Sequence, residues 1–227
     1  MSTMTFSELW KYFRLLTDPD TLPQEQREFL DHFLREEYHK REQRRIQHLM
    51  ATSGIKRIKL LKDFDWKFNP KVPRDKILEY MNTQWLHGPS NLVLIGPAGV
   101  GKTHIATAFC HDALTKGRQT LFLSLFELTA RLTRAKNVYN LIEHYARVPV
   151  LCLDEIGYVV PTQEHADCIF QIVSKRTEVA TTIVTTNLVP SNWGKIFDST
   201  TASAILDRLS MNGRFITFEG RSYRTKA

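Results

Sequence analysis

The stretch NLVLIGPAGVGKTH, residues 91–104, joins an apolar run to a glycine-rich turn and then to a lysine–threonine pair. The run NLVLI predicts a buried strand, and the pattern THIATAFCHDAL that follows predicts a helix. The turn between them matches the spacing G-x-x-x-x-G-K-[S/T] in the strand-to-helix context that this motif requires. We predict that the turn holds phosphate groups, the alternative being a glycine turn that only joins a strand to a helix.

The residue types in this turn suit a nucleotide phosphate chain. Glycines let backbone amides face phosphate oxygens, and the N-terminus of the following helix adds partial positive charge. Lys102 would reach the β- and γ-phosphates, and the hydroxyl of Thr103 would ligate Mg²⁺. The residues predicted to bind the nucleotide here are Gly96, Pro97, Ala98, Gly99, Val100, Gly101, Lys102, Thr103 and His104.

A second apolar run, VPVLCLDEIG (148–157), ends in two carboxylates. We expect this strand to deliver Asp154 to the carboxyl edge of a sheet, where it would hold Mg²⁺ through water. Glu155 would then polarise an attacking water, which favours hydrolysis. The alternative is a solvated turn. A kinase acting on a small molecule is disfavoured, because no acceptor-binding motif is evident.

A third apolar run, TTIVTTNL (181–188), ends in Asn187. The amide of Asn187 would orient the attacking water against the γ-phosphate. Taken singly, an asparagine before LVP is more often a turn former. Its position after the other two motifs favours the catalytic interpretation.

The chain after Pro73 alternates strands with helices, which predicts an α/β fold whose parallel sheet has crossover helices. Five strands are predicted at 91–95, 119–125, 148–153, 180–186 and 213–218. Helices are predicted at 102–116, 126–146, 162–178 and 201–211. The fold class is therefore a five-stranded parallel sheet between helices.

Two helices are predicted before this region. The first has apolar residues at helical spacing and is broken by DPD (18–20). Its apolar residues are Phe6, Leu9, Trp10, Phe13 and Leu16. Thr21 and Gln24 fit a capping box for the second helix. The apolar stripe of that helix would be Phe29, Leu30, Phe33, Leu34 and Tyr38. We predict a small N-terminal helical domain over residues 1–60 and an α/β domain over residues 61–227.

The composition of the 227 residues, 42% hydrophobic and 24% charged, is that of an ordinary globular protein, and the length favours one core plus an extension. No apolar run approaches the roughly 20 residues that span a bilayer, and the N-terminus lacks the features of a signal peptide. We expect a cytoplasmic protein that does not contact membranes. Cys110, Cys152 and Cys168 form no C-x-x-C pair, and we interpret them as core thiols.

The net charge of +7 favours a polyanionic partner. Residues 40–74 contain eleven basic and three acidic side chains. A solvated helix face with a linker explains this pattern, and so does a nucleic-acid surface that neutralises phosphates. The predicted DNA-contacting residues in this region are Arg44, Arg45, Lys56, Arg57 and Lys59. No helix-turn-helix or zinc-finger spacing is present, so we expect recognition of shape and charge.

These motifs, with AILDRL (204–209) and GRSYR (220–224), resemble the AAA+ ATPases. Within them, the sequence is most similar to the branch of the IstB-like transposition helpers and the DnaC-type helicase loaders, and closer to the former. Further shared features are LKDFDWKFNP (61–70) and TTNLVPSNWGKIF (185–197). The resemblance covers residues 40–224.

The resemblance implies an ATPase that assembles into a ring or helical filament in which a neighbour completes each site. Arg208 would be the arginine finger that reaches the γ-phosphate of the adjacent subunit, the alternative being a surface pair with Asp207. Arg224 would be the second sensor, in a domain without a full C-terminal lid. Phe64 and Trp66 would lie near the base of the nucleotide, or would anchor the linker before the α/β domain on the sheet.

The implied function is regulation of DNA transposition with ATP and Mg²⁺ as cofactors. The protein would assemble on duplex DNA, recruit or stimulate a transposase and disassemble on hydrolysis. Arg131, Arg134 and Lys136 would face a central channel and contact DNA, although an exposed amphipathic helix would show the same residues. The alternative function is a helicase loader that binds single strands and grips a helicase through its N-terminal helices.

Overall fold

The computed structural model describes residues 4–83 and 85–225. The chain divides into two compact units, Met1–His48 and Leu49–Ala227. The sequence placed the domain boundary at residues 60/61, whereas residues 49–60 group with the larger unit. The predicted outer limits at residues 1 and 227 lie outside the described residues.

The larger unit contains one parallel sheet of five strands, which confirms the predicted fold class. Its strands are β1 Asn91–Ile95, β2 Thr120–Ser124, β3 Val150–Ile156, β4 Thr181–Thr186 and β5 Gly213–Thr217. Their order in the sheet is β2-β3-β4-β1-β5. β1 and β4 are buried along their whole length, as expected for strands covered on both faces by crossover helices. β3 extends beyond its predicted end, so Asp154 and Glu155 belong to the strand itself.

Helices cover both faces of this sheet. The helices of the chain are α1 Phe6–Tyr12, α2 Gln24–Thr52, α3 Arg74–Asn82, α4 Lys102–Thr115, α5 Leu125–Arg134, α6 Val138–Arg147, α7 Gln163–Arg176 and α8 Ser199–Ser210. On one face, α3 and α4 pack against side chains such as Leu92 and Ile183. On the other face, α5 to α8 pack against alternate residues such as Val93 and Val184. No helix in the described part of the chain is long and apolar enough to cross a membrane.

The prediction of one helix over 126–146 is wrong, because two helices occupy this region. α5 ends at Arg134 and Ala135 is extended. The side chain of Asn137 then accepts a hydrogen bond from the backbone N–H of Asn140 at 3.0 Å and caps α6. An asparagine side chain that bonds nearby backbone competes with helix continuation, which explains the break.

The smaller unit buries less apolar surface than its sequence pattern predicts. Its core contains Leu9, Trp10 and Leu34, with Leu30 and Tyr38 partly buried against them. Phe29 and Phe33 are instead exposed, and their rings stack on each other with centroids 6.4 Å apart. The predicted apolar stripe is therefore wrong at these two positions.

The predicted helix boundaries in the smaller unit also need correction. α1 ends at Tyr12, before DPD, and Leu16 is fully exposed. Thr21 lies in a 3₁₀ turn over Pro19–Thr21, and its hydroxyl donates to the carbonyl of Asp18 at 2.6 Å. The predicted capping box with Gln24 is therefore wrong, because α2 begins at Gln24 itself and Thr21 lies in the preceding turn rather than at the N-cap of the helix.

Two of the three cysteines are core thiols as predicted. Cys110 and Cys152 are fully buried between α4 and the sheet. Cys168 is only half-buried, because it lies at the edge of the core on α7. Burial raises the pKa of the thiols of Cys152 and Cys168.

Arg176 is a buried cation that hydrogen-bonds both the segment before β3 and the start of β4, at the amino edge of the sheet. Its guanidinium donates to the carbonyls of Tyr145 at 2.6 Å, Val148 at 2.7 Å and Thr181, and it is 1% exposed. Burial lowers the pKa of Arg176 to about 9, so the side chain remains charged at neutral pH. The carbonyls at the end of α6 stabilise this charge.

We expect Arg176→Met to reduce the free energy of unfolding by about 3 kcal/mol, because it leaves several buried carbonyls without donors. Urea denaturation followed by circular dichroism measures this. Lys175→Met is the matched control, since Lys175 is exposed and pairs with Glu143 at 2.8 Å. Its expected cost is under about 1 kcal/mol. Equal midpoints for the two variants would contradict the structural role of Arg176.

Candidate functional site

The glycine-rich turn lies at the carboxyl edge of the sheet, between the end of β1 and the start of α4. Gly101 has φ +105°, and a Cβ atom there would overlap the ring of Phe64. A Cβ atom at Gly96 would overlap the carbonyl of Phe218, which follows β5. Only glycine therefore fits these two positions, and the turn keeps its backbone open as a phosphate cradle requires.

Lys102 is buried inside this turn with 7% exposure. Its ammonium donates to the carbonyls of Gly96 and Pro97, both at 2.7 Å. Burial lowers the pKa of Lys102, and the nearby charge of Asp154 opposes that shift. The lysine thus places a positive charge at the cradle, where it can bind an anion.

Asp154 and Thr103 form a pair of oxygen donors next to the turn. The Thr103 hydroxyl donates to the Asp154 carboxylate at 3.0 Å, and Asp154 is 5% exposed. Hydroxyl and carboxylate oxygens are ligands that Mg²⁺ prefers, and one or two protein ligands are usual when phosphates supply others. The residues present therefore fit a magnesium ion bound with a nucleotide.

Glu155 lies in an irregularity of β3. The register between β3 and β4 shifts between Leu153 and Ile156, and Glu155 has φ +63°. Its N–H donates to the hydroxyl of Thr185 at 3.0 Å, while its side chain is exposed toward the site. Bulges and left-handed non-glycine residues occur next to functional sites, where they redirect a side chain.

Residues 98–104 and Glu155 line one cavity of about 570 Å³, a volume within the range of ligand sites, and Asp154 adjoins it through its hydrogen bond with Thr103. The turn, the acidic strand end, the linker before α3 and the C-terminal segment all contribute to its wall. The lining includes Arg57, Ile58, Lys59, Asp63, Phe64, Asp65, Phe68, Asn69, Ala98, Gly99, Val100, Gly101, Lys102, Thr103, His104, Glu155, Tyr158, Thr185, Thr186, Tyr223 and Arg224.

The linker and the C-terminal segment hold each other beside the turn. Asn69, which is 5% exposed, donates to the carbonyl of Arg221 at 2.7 Å and accepts from its N–H at 2.9 Å. The N–H of Tyr223 donates to the carbonyl of Gly99 at 2.9 Å. These bonds bring Arg224 into the wall of the cavity. Sequence reasoning missed Asn69 and Tyr223, although both lie within stretches that carry the family resemblance.

Phe64, Trp66 and His104 join the linker to α4. The ring of Phe64 contacts those of Trp66 and His104, with centroids 4.5 and 5.2 Å apart. The Nε2 atom of His104 lies 2.7 Å from the carbonyl of Leu60, and burial lowers the pKa of this imidazole. Phe64 and Trp66 pack against the core, and Phe64 also lines the cavity.

Asn187 and Arg208 lie outside the lining of this cavity. Asn187 contacts Gly157, and its Oδ1 atom is buried with no hydrogen-bond partner among residues 4–83 and 85–225. The side chain of Arg208 is 40% exposed and pairs with Asp207 at 2.7 Å. The carbonyl of Arg208 accepts a hydrogen bond from Asn91 at the start of β1, so Arg208 lies at the sheet edge opposite the turn.

The residues predicted to contact DNA have different environments. Arg57 and Lys59 line the cavity. Lys56 pairs with Glu127 at 3.2 Å, and Arg45 pairs with Glu42 at 2.8 Å. Arg131 donates to the hydroxyl of Tyr145 at 3.1 Å. The remaining residues are exposed, namely Arg44 on α2, Arg134 at the end of α5 and Lys136 before α6.

Comparison with known proteins identifies the family. The model of the IstB-like ATP-binding protein family matches residues 14–227. A protein of insertion sequence IS21 from Pseudomonas aeruginosa, named for ATP binding, is 36% identical over 204 residues, which cover 88% of this chain and 77% of that protein. A similarly named protein of insertion sequence IS232 from Bacillus thuringiensis subsp. berliner is 35% identical over 190 residues, covering 82% and 76%.

Solved structures share the fold. The crystal structure of DnaI has a TM-score of 0.60 at 21% identity and covers 72% of this chain and 89% of its own. The DnaC helicase loader has a TM-score of 0.55 at 22% identity, covering 64% and 88%. The sheet order, the glycine-rich turn between β1 and α4 and these likenesses establish an AAA+ fold. The chain belongs to the IstB-like family of ATP-binding proteins.

Proposed function

We propose that this protein is a Mg²⁺-dependent ATPase that assembles on duplex DNA and regulates transposition by recruiting or stimulating a transposase. The observation that carries the proposal is that Lys102, Thr103, Asp154 and Glu155 line or border one cavity. Membership of a family whose relatives occur in insertion sequences supports the role in transposition. Hydrolysis would disassemble the complex.

The residues of the cavity would divide the chemistry between them. The turn and Lys102 bind the phosphate chain, while Thr103 and Asp154 hold Mg²⁺, which neutralises phosphate charge when bound. Glu155 accepts a proton from the attacking water. Asn187, which is next to Gly157, would orient that water, and Arg224 would support the phosphates from the same chain. Arg57 and Lys59 add positive charge to the wall of the cavity.

Arg208 would act on a neighbouring subunit. Its position at the sheet edge opposite the turn makes contact with the nucleotide of its own chain geometrically unsuitable. The planar, permanently charged guanidinium is suited to stabilise the spread charge of phosphoryl transfer. If a second copy of the chain supplies this arginine, hydrolysis takes place only in an assembled ring or filament.

We expect Arg208→Ala to reduce ATP turnover by about 10³-fold while leaving ATP affinity near that of the unmodified protein. Mixing Arg208→Ala with Lys102→Ala protein tests action between subunits. One variant keeps an intact turn and the other keeps the arginine, so their mixture forms some complete sites and regains turnover. Arg214→Ala, at another exposed arginine, is the control. A mixture no more active than its components would contradict action between subunits.

DNA binding would use exposed basic side chains on α2, in the linker before α3, on α5 and in the segment before α6. The candidates are Arg44 and Arg45 on α2, Lys56 in the linker, Arg131 and Arg134 on α5, and Lys136 before α6. Lysine and arginine contacts to phosphates give binding that weakens steeply with salt and depends little on sequence. Duplex DNA is the proposed ligand.

Negative-stain electron microscopy tests the proposed assembly. The protein is imaged with ATP and duplex DNA, with ATP and single-stranded DNA, and with each component alone. Rings or filaments that form only with ATP and duplex DNA are the expected result. Assembly on single strands alone would favour a helicase loader, and absence of assembly in every sample would overturn the proposal.

A further inference from the structure

Thr185 is a buried residue of β4 that contacts the carboxylate of Asp154 and the backbone of Glu155 on β3. It is 1% exposed, and β4 lies directly beside β3 in the sheet. Its hydroxyl donates to Oδ1 of Asp154 at 2.5 Å. The oxygen of the Thr185 hydroxyl also accepts the N–H of Glu155 at 3.0 Å. One side chain thus contacts two consecutive residues that the proposed function assigns to magnesium binding and to hydrolysis.

The hydroxyl is suited to this double contact because it has one proton to donate and two lone pairs. The donated proton leaves a lone pair for the Glu155 N–H. Oδ1 of Asp154 also accepts the Thr103 hydroxyl at 3.0 Å, so hydroxyls from α4 and β4 together orient its carboxylate. An oxygen ligand held in this way keeps its direction toward a metal ion.

The left-handed backbone at Glu155 needs the hydrogen bond between its N–H and the Thr185 hydroxyl. A non-glycine residue in the left-handed region persists only where its surroundings hold it there. The β3–β4 register shifts between Leu153 and Ile156, so Glu155 has no partner residue in that register. The hydroxyl of Thr185 accepts its N–H and therefore fixes the direction in which the Glu155 side chain leaves the strand.

We propose that Thr185 is a positioning residue that sets the metal-binding carboxylate and the proton-accepting carboxylate relative to each other. The inference rests on the proposed ATPase function. It predicts that loss of one buried hydroxyl disturbs turnover and magnesium dependence together, because both depend on the same oxygen atom. Nucleotide affinity depends mainly on the turn and Lys102, and it changes little.

Thr185→Val tests this role because it removes the hydroxyl and keeps the shape of the side chain. We expect ATP turnover to fall about 10- to 100-fold and the half-saturating Mg²⁺ concentration to rise by a similar factor. The dissociation constant of ATP should change by less than about threefold. Thr185→Ser restores the hydroxyl and should return turnover to within about threefold of the unmodified protein.

Thr120→Val is the matched control. Thr120 is equally buried, and its hydroxyl donates to the carbonyl of Arg118 at 3.1 Å at the start of β2, away from the cavity. This variant should retain turnover and magnesium dependence. Comparing the thermal unfolding midpoints of the two valine variants separates a general loss of stability from a specific displacement of the Asp154 and Glu155 carboxylates.

Amide hydrogen exchange at Glu155, measured by nuclear magnetic resonance, gives a readout that does not depend on turnover. Thr185→Val should accelerate this exchange, and Thr185→Ser should not. Unchanged exchange at Glu155, or turnover within twofold of the unmodified protein, would overturn the role of Thr185. Failure of the unmodified protein to hydrolyse ATP would overturn the proposed function itself, and the positioning role with it. If the unmodified protein hydrolyses ATP and Thr185→Val behaves like it, the positioning role of Thr185 is wrong and the proposed function stands.

Discussion

Lys102→Ala is expected to weaken ATP binding by about 100-fold, an effect of about 2.7 kcal/mol. Charge-assisted hydrogen bonds to phosphates are among the stronger polar contacts in proteins, and the ammonium of Lys102 lies within the turn, bonded to the carbonyls of Gly96 and Pro97. The substitution also removes the donor from the carbonyls of Gly96 and Pro97. Isothermal titration calorimetry with ATP and Mg²⁺ measures the change.

Two further variants separate charge from packing in this experiment. Lys102→Met retains most of the buried aliphatic chain, so a similar loss of affinity in both variants assigns the effect to the ammonium. Lys116→Ala, just after the same helix, removes a lysine that pairs with Asp112 at 2.7 Å and should bind ATP normally.

The loss of ATP binding should also abolish cooperative assembly on duplex DNA. Electrophoretic mobility shift with and without ATP measures this for Lys102→Ala. Duplex affinity equal to that of the unmodified protein in the presence of ATP would disprove coupling between the nucleotide and DNA sites.

Glu155→Gln is expected to lower ATP turnover by about 10²- to 10⁴-fold, the usual contribution of a positioned general base. Glutamine keeps the size of the side chain but does not accept the proton of the attacking water. ATP affinity should be retained, since the turn and Lys102 are unchanged. The variant should therefore remain assembled on duplex DNA with bound ATP, and a phosphate-release assay with electron microscopy measures both effects.

Glu178→Gln is a matched control for the unusual backbone at Glu155. Glu178 is also left-handed, with φ +59°, and lies outside the cavity lining. If replacing a left-handed glutamate disturbs the fold, both variants lose stability; if chemistry is responsible, only Glu155→Gln loses turnover. An unaltered turnover rate in Glu155→Gln would exclude Glu155 as the general base.

The smaller unit marks the limit of pattern-based prediction. Helical spacing identifies Phe29 and Phe33 as core residues, yet both are exposed. Spacing reports which residues share a helix face, but the width of the buried stripe depends on how much partner surface covers it. The helix break at Asn137 has a similar cause, because the apolar period continues across it while one side chain bonds the local backbone.

The cavity beside the glycine-rich turn depends on contacts between distant parts of the chain. Asn69 and Arg221 are 152 residues apart in sequence but share two hydrogen bonds. Arg57 and Lys59 belong to a basic segment that predicts a DNA surface, whereas their place in the fold is the cavity wall. Charge patterning gives the sign of a segment, but the path of the chain decides which ligand that charge faces.

Residue patterns are sufficient to predict the parts of this protein whose physics is local. A glycine turn between an apolar strand and a helix, an acidic strand end and alternating strands and helices predict the parallel sheet and the phosphate-binding turn. The packed domain is needed to show that β3 and β4 are neighbours, that Thr185 bonds Asp154 and Glu155, and that the linker and C-terminal segment contribute to the cavity wall. Backbone conformation and burial follow from nearby residue types, whereas strand order and side-chain partners follow from the packing of the whole domain.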